Sequence, residues 1–202
     1  MVSRRALLTA AAAGSAAFVL TPTSKAAVAV STGSSLLAAP RVTRARAERF
    51  LIARPNGAYT DADVRAIAGY YFTTGPQVGL DPLLAVAQLA LETAYLSSYW
   101  AARPRRNPAG IGVTGQPGAG ISFRSWRVSS RAHLGRLLAY ALPAGTGTTA
   151  QRKLIAEALS WRVLPAAMRG RARSVGGLSG TWAADRAYAG KVVRIANAML
   201  RA

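Results

Sequence analysis

One stretch of the chain is apolar on nearly every side, and it constrains the fold more than any other. Asp81 and Pro82 open it. An aspartate side chain binds the free backbone amides at a helix start, and a proline in the first helical position loses no hydrogen bond. The residues from Leu83 to about Tyr95 then carry mostly apolar side chains. A helix without a polar face must be covered by other elements. The sequence therefore predicts a buried central helix.

Further helical patterns flank this segment. Thr60 and Asp63 fit a capping box, in which a hydroxyl and an acid three residues later each bind the other's backbone amide. The helical spacing that follows is broken by glycines and a proline within 75–79. Apolar spacing predicts helices over 44–53, 129–142, 149–161 and 185–200. Glycine, proline and arginine surround short apolar pieces in 102–127, which favours a small β-lobe or irregular insertion. We expect a mainly α fold of the α+β type.

The N-terminus has the layout of an export signal. Arg4 and Arg5 precede an apolar run that ends near Leu20, and small residues follow. We interpret 1–29 as a signal peptide of the twin-arginine type, cleaved after Ala29 or, as a later option, after Ala39. About 15 apolar residues are short for a membrane span. We expect a linker over 30–43, a catalytic domain over 44–202, and a secreted protein of the cell wall or periplasm without a stable membrane span.

The charge indicates a polyanionic partner. The chain has 26 Lys and Arg against 7 Asp and Glu, a net charge of +19. Without the basic residues of the signal region (Arg4, Arg5 and Lys25), 23 basic residues against 7 acids still give +16. Nucleic acid, an anionic membrane and acidic wall polymers all fit such a charge. The basic residues are dispersed and form no nucleic-acid-binding motif.

Two residue counts exclude whole classes of site. The chain has no cysteine, which excludes disulfides, thiolate nucleophiles and thiolate metal ligands. Its one histidine, His133, excludes a zinc site built from several histidines. No serine or carboxylate motif accompanies His133, so we interpret it as structural. The sequence predicts no metal and no cofactor.

Glu92 is the acid that needs an explanation. It lies near the end of the most apolar helix, where burial of a carboxylate costs several kcal/mol without compensation. An apolar neighbourhood and the negative end of the helix dipole both favour its protonated form. Such a carboxyl suits general acid catalysis. Gln88, one turn earlier on the same face, is placed to orient Glu92 or a substrate. The alternative is a glutamate that simply faces solvent at the helix end.

Three motifs in order extend this hypothesis. The segment 88–93, Q-L-A-L-E-T, resembles the A-Q-x-x-x-E-[ST] helix of the glucosaminidase domain of glycoside hydrolase family 73, the flagellar and autolysin type. The segment 107–112 resembles the family's N-x-F-G-I-K element, and 181–189 resembles its T-Y-A-T-D-x-x-Y-A element. The resemblance implies a lysozyme-like fold, a peptidoglycan substrate, and Glu92 as the general acid of an endo-β-N-acetylglucosaminidase.

Several positions depart from the family pattern. Ala94 replaces the usual Gly, Ala109 an aromatic, and Trp182 a tyrosine often given a catalytic role. The family's second carboxylate has no evident match, so Asp185 and Glu157 are the weaker catalytic candidates. Asp185 fits equally well as the cap of the last helix. The other route uses the substrate's acetamido oxygen as nucleophile, and we favour it.

The expected partners are glycan strands and anionic wall polymers, not nucleic acid, and we expect a monomer. Sugar rings stack on aromatic side chains, although about half of these side chains are expected in the core. The candidates for substrate binding are Gln88, Asn107, Gly110, Phe123, Trp126, Trp182 and Tyr188. A lytic transglycosylase and a noncatalytic wall-binding module are the alternative functions.

Overall fold

The computed structural model describes residues 28–113 and 120–202. The predicted signal peptide therefore lies almost entirely outside the described residues. The fold is mainly α, as predicted. Its α-helices are α1 Arg44–Ile52, α2 Asp61–Gln77, α3 Pro82–Glu92, α4 Trp126–Ala141, α5 Thr149–Trp161 and α6 Tyr188–Arg201. Two short 3-10 helices, Ala166–Met168 and Val175–Leu178, precede α6.

Helix α3 is the centre of the fold. Every residue from Pro82 to Ala90 is buried. The helix contacts α1, α2, α4 and α6, of which α6 packs against it most extensively. Asp81 caps it by accepting a hydrogen bond from the backbone amide of Leu83, at 3.0 Å. The prediction of a buried central helix is confirmed, because a segment without a polar face is stable only when neighbours cover it.

Two helix starts follow from side-chain caps. The capping box of Thr60 and Asp63 is present, and α2 begins at Asp61. Ser125 accepts from the backbone amide of Val128, so that α4 begins three residues before the predicted start at 129. The sequence signal for this start was weak because the first turn of α4 lacks the apolar spacing of the rest.

Helix ends differ more from the predictions. Helix α2 continues to Gln77 with Pro76 in its last turn, so the predicted break comes slightly later. Helix α3 ends at Glu92 instead of near Tyr95. Ala94, Tyr95 and Leu96 follow with φ of 46°, 56° and 72°, in the left-handed region. Thr93 supports this turn: its hydroxyl donates to the Leu89 carbonyl at 2.6 Å and accepts from the Leu96 amide at 2.9 Å.

The segment 30–43 packs on the helices rather than extending as a linker. Val30 and Leu36 are 4% and 1% exposed and belong to the main core. The backbone of Val30 makes two hydrogen bonds of 2.8 Å with the side chain of Asn197 in α6. The Leu36 carbonyl accepts from the amide of Asp81 at 3.0 Å. The small residues of this segment allow close packing, and three buried apolar side chains, Val30, Leu36 and Val42, anchor it.

The insertion at 102–127 is irregular where it is described. Neither 102–113 nor 120–125 contains a strand, so the described parts of the insertion match the irregular form of the two predicted. A small second core holds it together, formed by Ala109, Ile111, Phe123 and Ala132. Across the described ranges, no helix has both the length and the hydropathy of a membrane span.

Candidate active site

Glu92 is the last residue of α3, and its side chain is half-buried where three elements meet. The indole nitrogen of Trp182, from the loop before α6, donates to Glu92 Oε1 at 3.0 Å. The hydroxyl of Tyr188, the first residue of α6, donates to the same oxygen. Residues from two of the three sequence motifs are therefore hydrogen-bonded to each other through one carboxylate.

The other six acids of the chain are paired with cations. All seven acids lie in described residues, and each pair joins one acid to one cation within 4.0 Å. The pairs are Arg41–Asp81, Arg44–Glu48, Arg65–Asp61, Arg103–Asp63, Arg131–Glu157 and Lys191–Asp185. Glu92 is the exception, since its partners are the neutral donors Trp182 and Tyr188. The carboxyl group of Glu92 thus differs from those of the other six acids, which are all in ion pairs.

A chain of buried hydrogen bonds leads to Glu92 from the core. Tyr71 in α2 contacts His133 Nδ1 in α4 at 3.0 Å, and His133 Nε2 contacts Gln88 Oε1 in α3 at 3.0 Å. Gln88 Nε2 donates to the Tyr188 hydroxyl at 2.7 Å. The amide oxygen of Gln88 only accepts, so His133 carries its proton on Nε2 and accepts from Tyr71 at Nδ1. Every donor in the chain therefore points toward Glu92.

Burial keeps each titratable group of this hydrogen-bond chain in its neutral form. Complete burial lowers the pKa of His133 to about 3, so the ring is neutral at physiological pH. Burial, and then the neighbouring Glu92 carboxylate, raises the pKa of Tyr188. Burial likewise raises the pKa of Tyr71. Tyr188 is therefore held in one orientation by three neutral groups with fixed donor directions, Gln88, His133 and Tyr71. Tyr188 in turn orients Glu92.

Asn107 shapes the loop that faces Glu92. Its side chain is fully buried and binds the backbone of Ile111 twice, at 2.8 and 2.9 Å, and the Ile121 carbonyl at 3.1 Å. Gly110 lies inside this turn with φ of 60°. A Cβ atom built on Gly110 would lie 3.6 Å from Glu92 Oε2. The loop thus approaches the oxygen of Glu92 that does not bind Trp182 and Tyr188.

A polar cavity of about 190 Å³ opens beside this loop. Its lining residues are Ala109, Gly110, Ile111, Gly112, Val113, Arg136, Tyr140, Arg162 and Trp182. Trp182 is half-buried there, with its ring centroid 5.3 Å from that of Tyr140 and 5.6 Å from that of His133. Gly110 and Trp182 line the cavity; Trp182 binds Glu92 and Gly110 lies close to it, so the carboxyl group and the cavity are adjacent.

The structure does not bring every predicted site residue to Glu92. Phe123 is 1% exposed and packs in the second core, with its ring centroid 5.0 Å from that of Trp161. Trp126 is 7% exposed and packs in the main core, edge-on to Tyr59. Neither presents a ring face to a sugar. Their aromatic type fits a sugar platform and a core equally well, and only the packing distinguishes the two.

The two weaker acid candidates lie in ion pairs. Asp185 is exposed and binds Lys191 Nζ at 2.7 Å and the amide of Ala187 at 2.8 Å, and these two hydrogen bonds lower its pKa. Glu157 in α5 binds Arg131 through both carboxylate oxygens. Asp185 caps the turn before α6, which begins three residues later than predicted.

Sequence reasoning missed four residues around the site. His133 and Tyr71 were given no role in it, yet they extend the hydrogen-bond chain from Glu92. Arg136 and Arg162 line the adjacent cavity. For His133 and Tyr71, the one signal available in the sequence was that the chain has a single histidine. The arginines are 2 of 26 basic residues and carried no signal.

Comparisons with known proteins give one match. No protein-family model and no curated protein sequence matches the chain. Among solved structures, the chain is similar to the catalytic domain of the autolysin Auto from Listeria monocytogenes, at 17% identity and a TM-score of 0.44. The match covers 79% of this chain and 89% of that chain. A likeness at this level does not establish a family.

Proposed function

We propose that this protein is a peptidoglycan hydrolase that cleaves a β-1,4 glycosidic bond of the glycan strand, with Glu92 as the general acid. One observation carries the proposal. Of the chain's seven acids, Glu92 alone is held by neutral donors beside a polar cavity, and the other six are in ion pairs. The resemblance of three motifs to glucosaminidases supports the substrate class.

The hydrogen bonds to Glu92 support Oε2 as the oxygen that donates the proton. Glu92 Oε1 accepts from Trp182 and Tyr188, so the proton of the neutral acid is on Oε2. Oε2 faces the loop at Gly110. In the first step, Oε2 gives its proton to the glycosidic oxygen as the bond from that oxygen to the sugar carbon breaks. The two donors then stabilise the carboxylate that remains.

The nucleophile of this step is the acetamido oxygen of the substrate. With Asp185 and Glu157 engaged by Lys191 and Arg131, neither carboxylate is disposed to attack or to activate water. The acetamido oxygen forms a bond to the anomeric carbon and gives a cyclic oxazolinium ion. Water then opens this ring as the Glu92 carboxylate takes the water proton, which restores the neutral acid. The expected product has an N-acetylglucosamine reducing end, as for an endo-β-N-acetylglucosaminidase.

The charge and the N-terminus fit a protein of the cell wall. A net charge of +16 outside the predicted signal peptide favours binding to glycan strands that carry anionic polymers. A twin-arginine signal over 1–29 would export the folded protein. We propose that it acts as a monomer outside the cytoplasm, without a cofactor.

Product analysis tests the proposal. Purified wild type and Glu92→Gln are incubated with peptidoglycan, and the released fragments are identified by mass spectrometry. Glu48→Gln is the matched control, because Glu48 is a surface acid paired with Arg44. We expect N-acetylglucosamine reducing ends from wild type and Glu48→Gln, and no cleavage by a folded Glu92→Gln.

Each other result identifies a different function. Anhydro ends indicate a lytic transglycosylase, in which a hydroxyl of the substrate replaces water. N-acetylmuramic reducing ends indicate cleavage of the other bond of the repeat. Binding without cleavage by wild type indicates a noncatalytic wall-binding module and contradicts the proposal, as does full activity of Glu92→Gln.

A further inference from the structure

Two arginines meet at the wall of the cavity beside Glu92. Arg136 comes from α4, and Arg162 directly follows α5. The guanidinium of Arg136 donates from Nη1 to the backbone carbonyl of Arg162 at 2.9 Å. The side chain of Arg136 is half-buried and Arg162 is exposed at the rim. The packing of α4 on α5 therefore brings two positive charges to one cavity.

No acidic side chain neutralises this pair of arginines. All seven acids lie in described residues; six bind other cations, and Glu92 binds Trp182 and Tyr188. Burial lowers the pKa of Arg136; Tyr140 acts in the opposite direction, and Arg162 adds a smaller lowering of this pKa. Two guanidinium groups placed together without an acid repel each other, and burial of one adds a desolvation cost. A bound anion would offset both effects.

The position of the cavity indicates where such an anion comes from. Gly110 and Trp182 line the cavity with the arginines and also adjoin Glu92. A volume of about 190 Å³ accommodates a small charged group. Gly110 and Trp182 thus connect the arginines with Glu92, and we expect a substituent of a sugar bound at Glu92 to lie near the arginines.

We propose that Arg136 and Arg162 form a subsite for a carboxylate of the substrate; this inference rests on the proposed function. A guanidinium matches a carboxylate with two parallel hydrogen bonds, which makes arginine selective for this group. Peptidoglycan offers two carboxylate sources near its glycosidic bonds. One is the lactyl group of a muramic acid that has lost its peptide, and the other is the peptide stem itself. Such a subsite would make the site prefer wall glycan to a neutral polymer of N-acetylglucosamine.

Three substrates separate these sources. The first is stem-free glycan with free lactyl carboxylates, the second is the same glycan with those carboxylates converted to methyl amides, and the third carries peptide stems. The values of kcat/KM are measured for wild type, Arg162→Gln and the control Lys153→Gln. Lys153 is an exposed cation on α5 outside this cavity. Arg162 is the better target than Arg136, because its exposed side chain is not required for packing.

For wild type we expect a preference for a carboxylate substrate over the methyl amide. Arg162→Gln should reduce this preference about tenfold, the effect of one lost hydrogen bond between charged groups. A fall in kcat/KM of Arg162→Gln on stem-free glycan shows that the subsite binds the lactyl carboxylate. A fall only on stem-bearing glycan shows that it binds a carboxylate of the peptide. Lys153→Gln should keep the wild-type preference. The inference is overturned if Arg162→Gln keeps the wild-type preference, or if Arg162→Gln and Lys153→Gln reduce this preference equally.

A binding measurement separates this inference from the proposed function. Calorimetry with soluble glycan fragments compares Glu92→Gln with the double variant Glu92→Gln/Arg162→Gln. About tenfold weaker binding of the carboxylate fragment by the double variant supports the subsite even when wild type cleaves no glycan. Equal affinities overturn the subsite even when wild type is an active hydrolase.

Discussion

The hydroxyl of Tyr188 donates a hydrogen bond to the carboxylate of Glu92, 96 positions earlier in the chain. The same hydroxyl accepts from Gln88, which connects it to His133 and Tyr71 in the core. The family pattern places a tyrosine where this chain has Trp182. Tyr188 matches the second tyrosine of the same motif, so the hydroxyl contact to Glu92 comes from that shared position, and Trp182 adds an N–H donor. The carboxylate is thus oriented by groups that four helices and the loop before α6 contribute.

Removal of the Tyr188 hydroxyl should slow cleavage without loss of substrate binding. Tyr188→Phe leaves Glu92 with one donor fewer when it becomes a carboxylate. We expect kcat to fall roughly 10–100-fold with KM nearly unchanged, the usual worth of one hydrogen bond to a charged group. Tyr70→Phe, on α2 beside a separate pocket, is the matched control. An unchanged kcat in a folded Tyr188→Phe would show that the hydroxyl does not serve the reaction.

Neither of the two weaker acid candidates should act as a base. Asp185→Asn keeps an acceptor for the amide of Ala187, and Glu157→Gln keeps the side-chain shape beside Arg131. We expect both variants to cleave a soluble glycan at nearly the wild-type rate. Removal of a true general base costs about 10²–10⁴-fold in rate. A loss of that size in either variant, with an unchanged melting temperature, would identify the second catalytic acid and rule out the substrate-assisted route.

His133 should make the protein less stable in acid. Its pKa is about 3 in the folded state and 6.5 in the unfolded chain. The stability from its neutral ring is thus fully present above pH 6.5 and is lost as the pH falls toward 3, because the unfolded chain takes up a proton that the folded protein excludes. The free energy of unfolding should fall by up to about 1.4 kcal/mol per pH unit in this window.

Urea unfolding at several pH values measures this effect. His133→Gln keeps an amide donor and a carbonyl acceptor for Gln88 and Tyr71 but does not titrate, so its stability should depend less on pH between 6.5 and 3. Equal pH dependence in both proteins would contradict the prediction. An NMR titration of wild type gives a direct reading, in which the His133 ring should stay neutral below pH 5.

The segment 30–39 should be required for stability. A chain that begins at Pro40 loses the buried side chains of Val30 and Leu36. Leu36→Ala in a chain that begins at Val30 should cost about 2–5 kcal/mol, as for other buried leucines. Leu37→Ala, at a half-buried neighbour, should cost clearly less. The free energies of unfolding of the 30–202 and 40–202 chains test the prediction, and equal values would favour the later cleavage option after Ala39.

Helix positions were largely predictable because the signals for them are local. Asp81 with Pro82, and Thr60 with Asp63, fixed two helix starts through hydrogen bonds between neighbours in sequence. The apolar run after Asp81 predicted the buried centre of the fold. The same local signals did not predict the end of α3, where Thr93 and three left-handed residues turn the chain. They also missed the packing of 30–43, because its small residues resemble a linker.

The sequence by itself determined that one acid, Glu92, lies near the end of a helix that must be buried because it lacks a polar face. Only the tertiary structure decided what surrounds that acid. Gln88, His133 and Tyr188 come from three helices, so their hydrogen bonds depend on how those helices pack. The pairing of the other six acids and the meeting of Arg136 with Arg162 depend on the same packing. Contacts between distant residues leave no local pattern in the chain, because the packing of the helices selects which side chains meet.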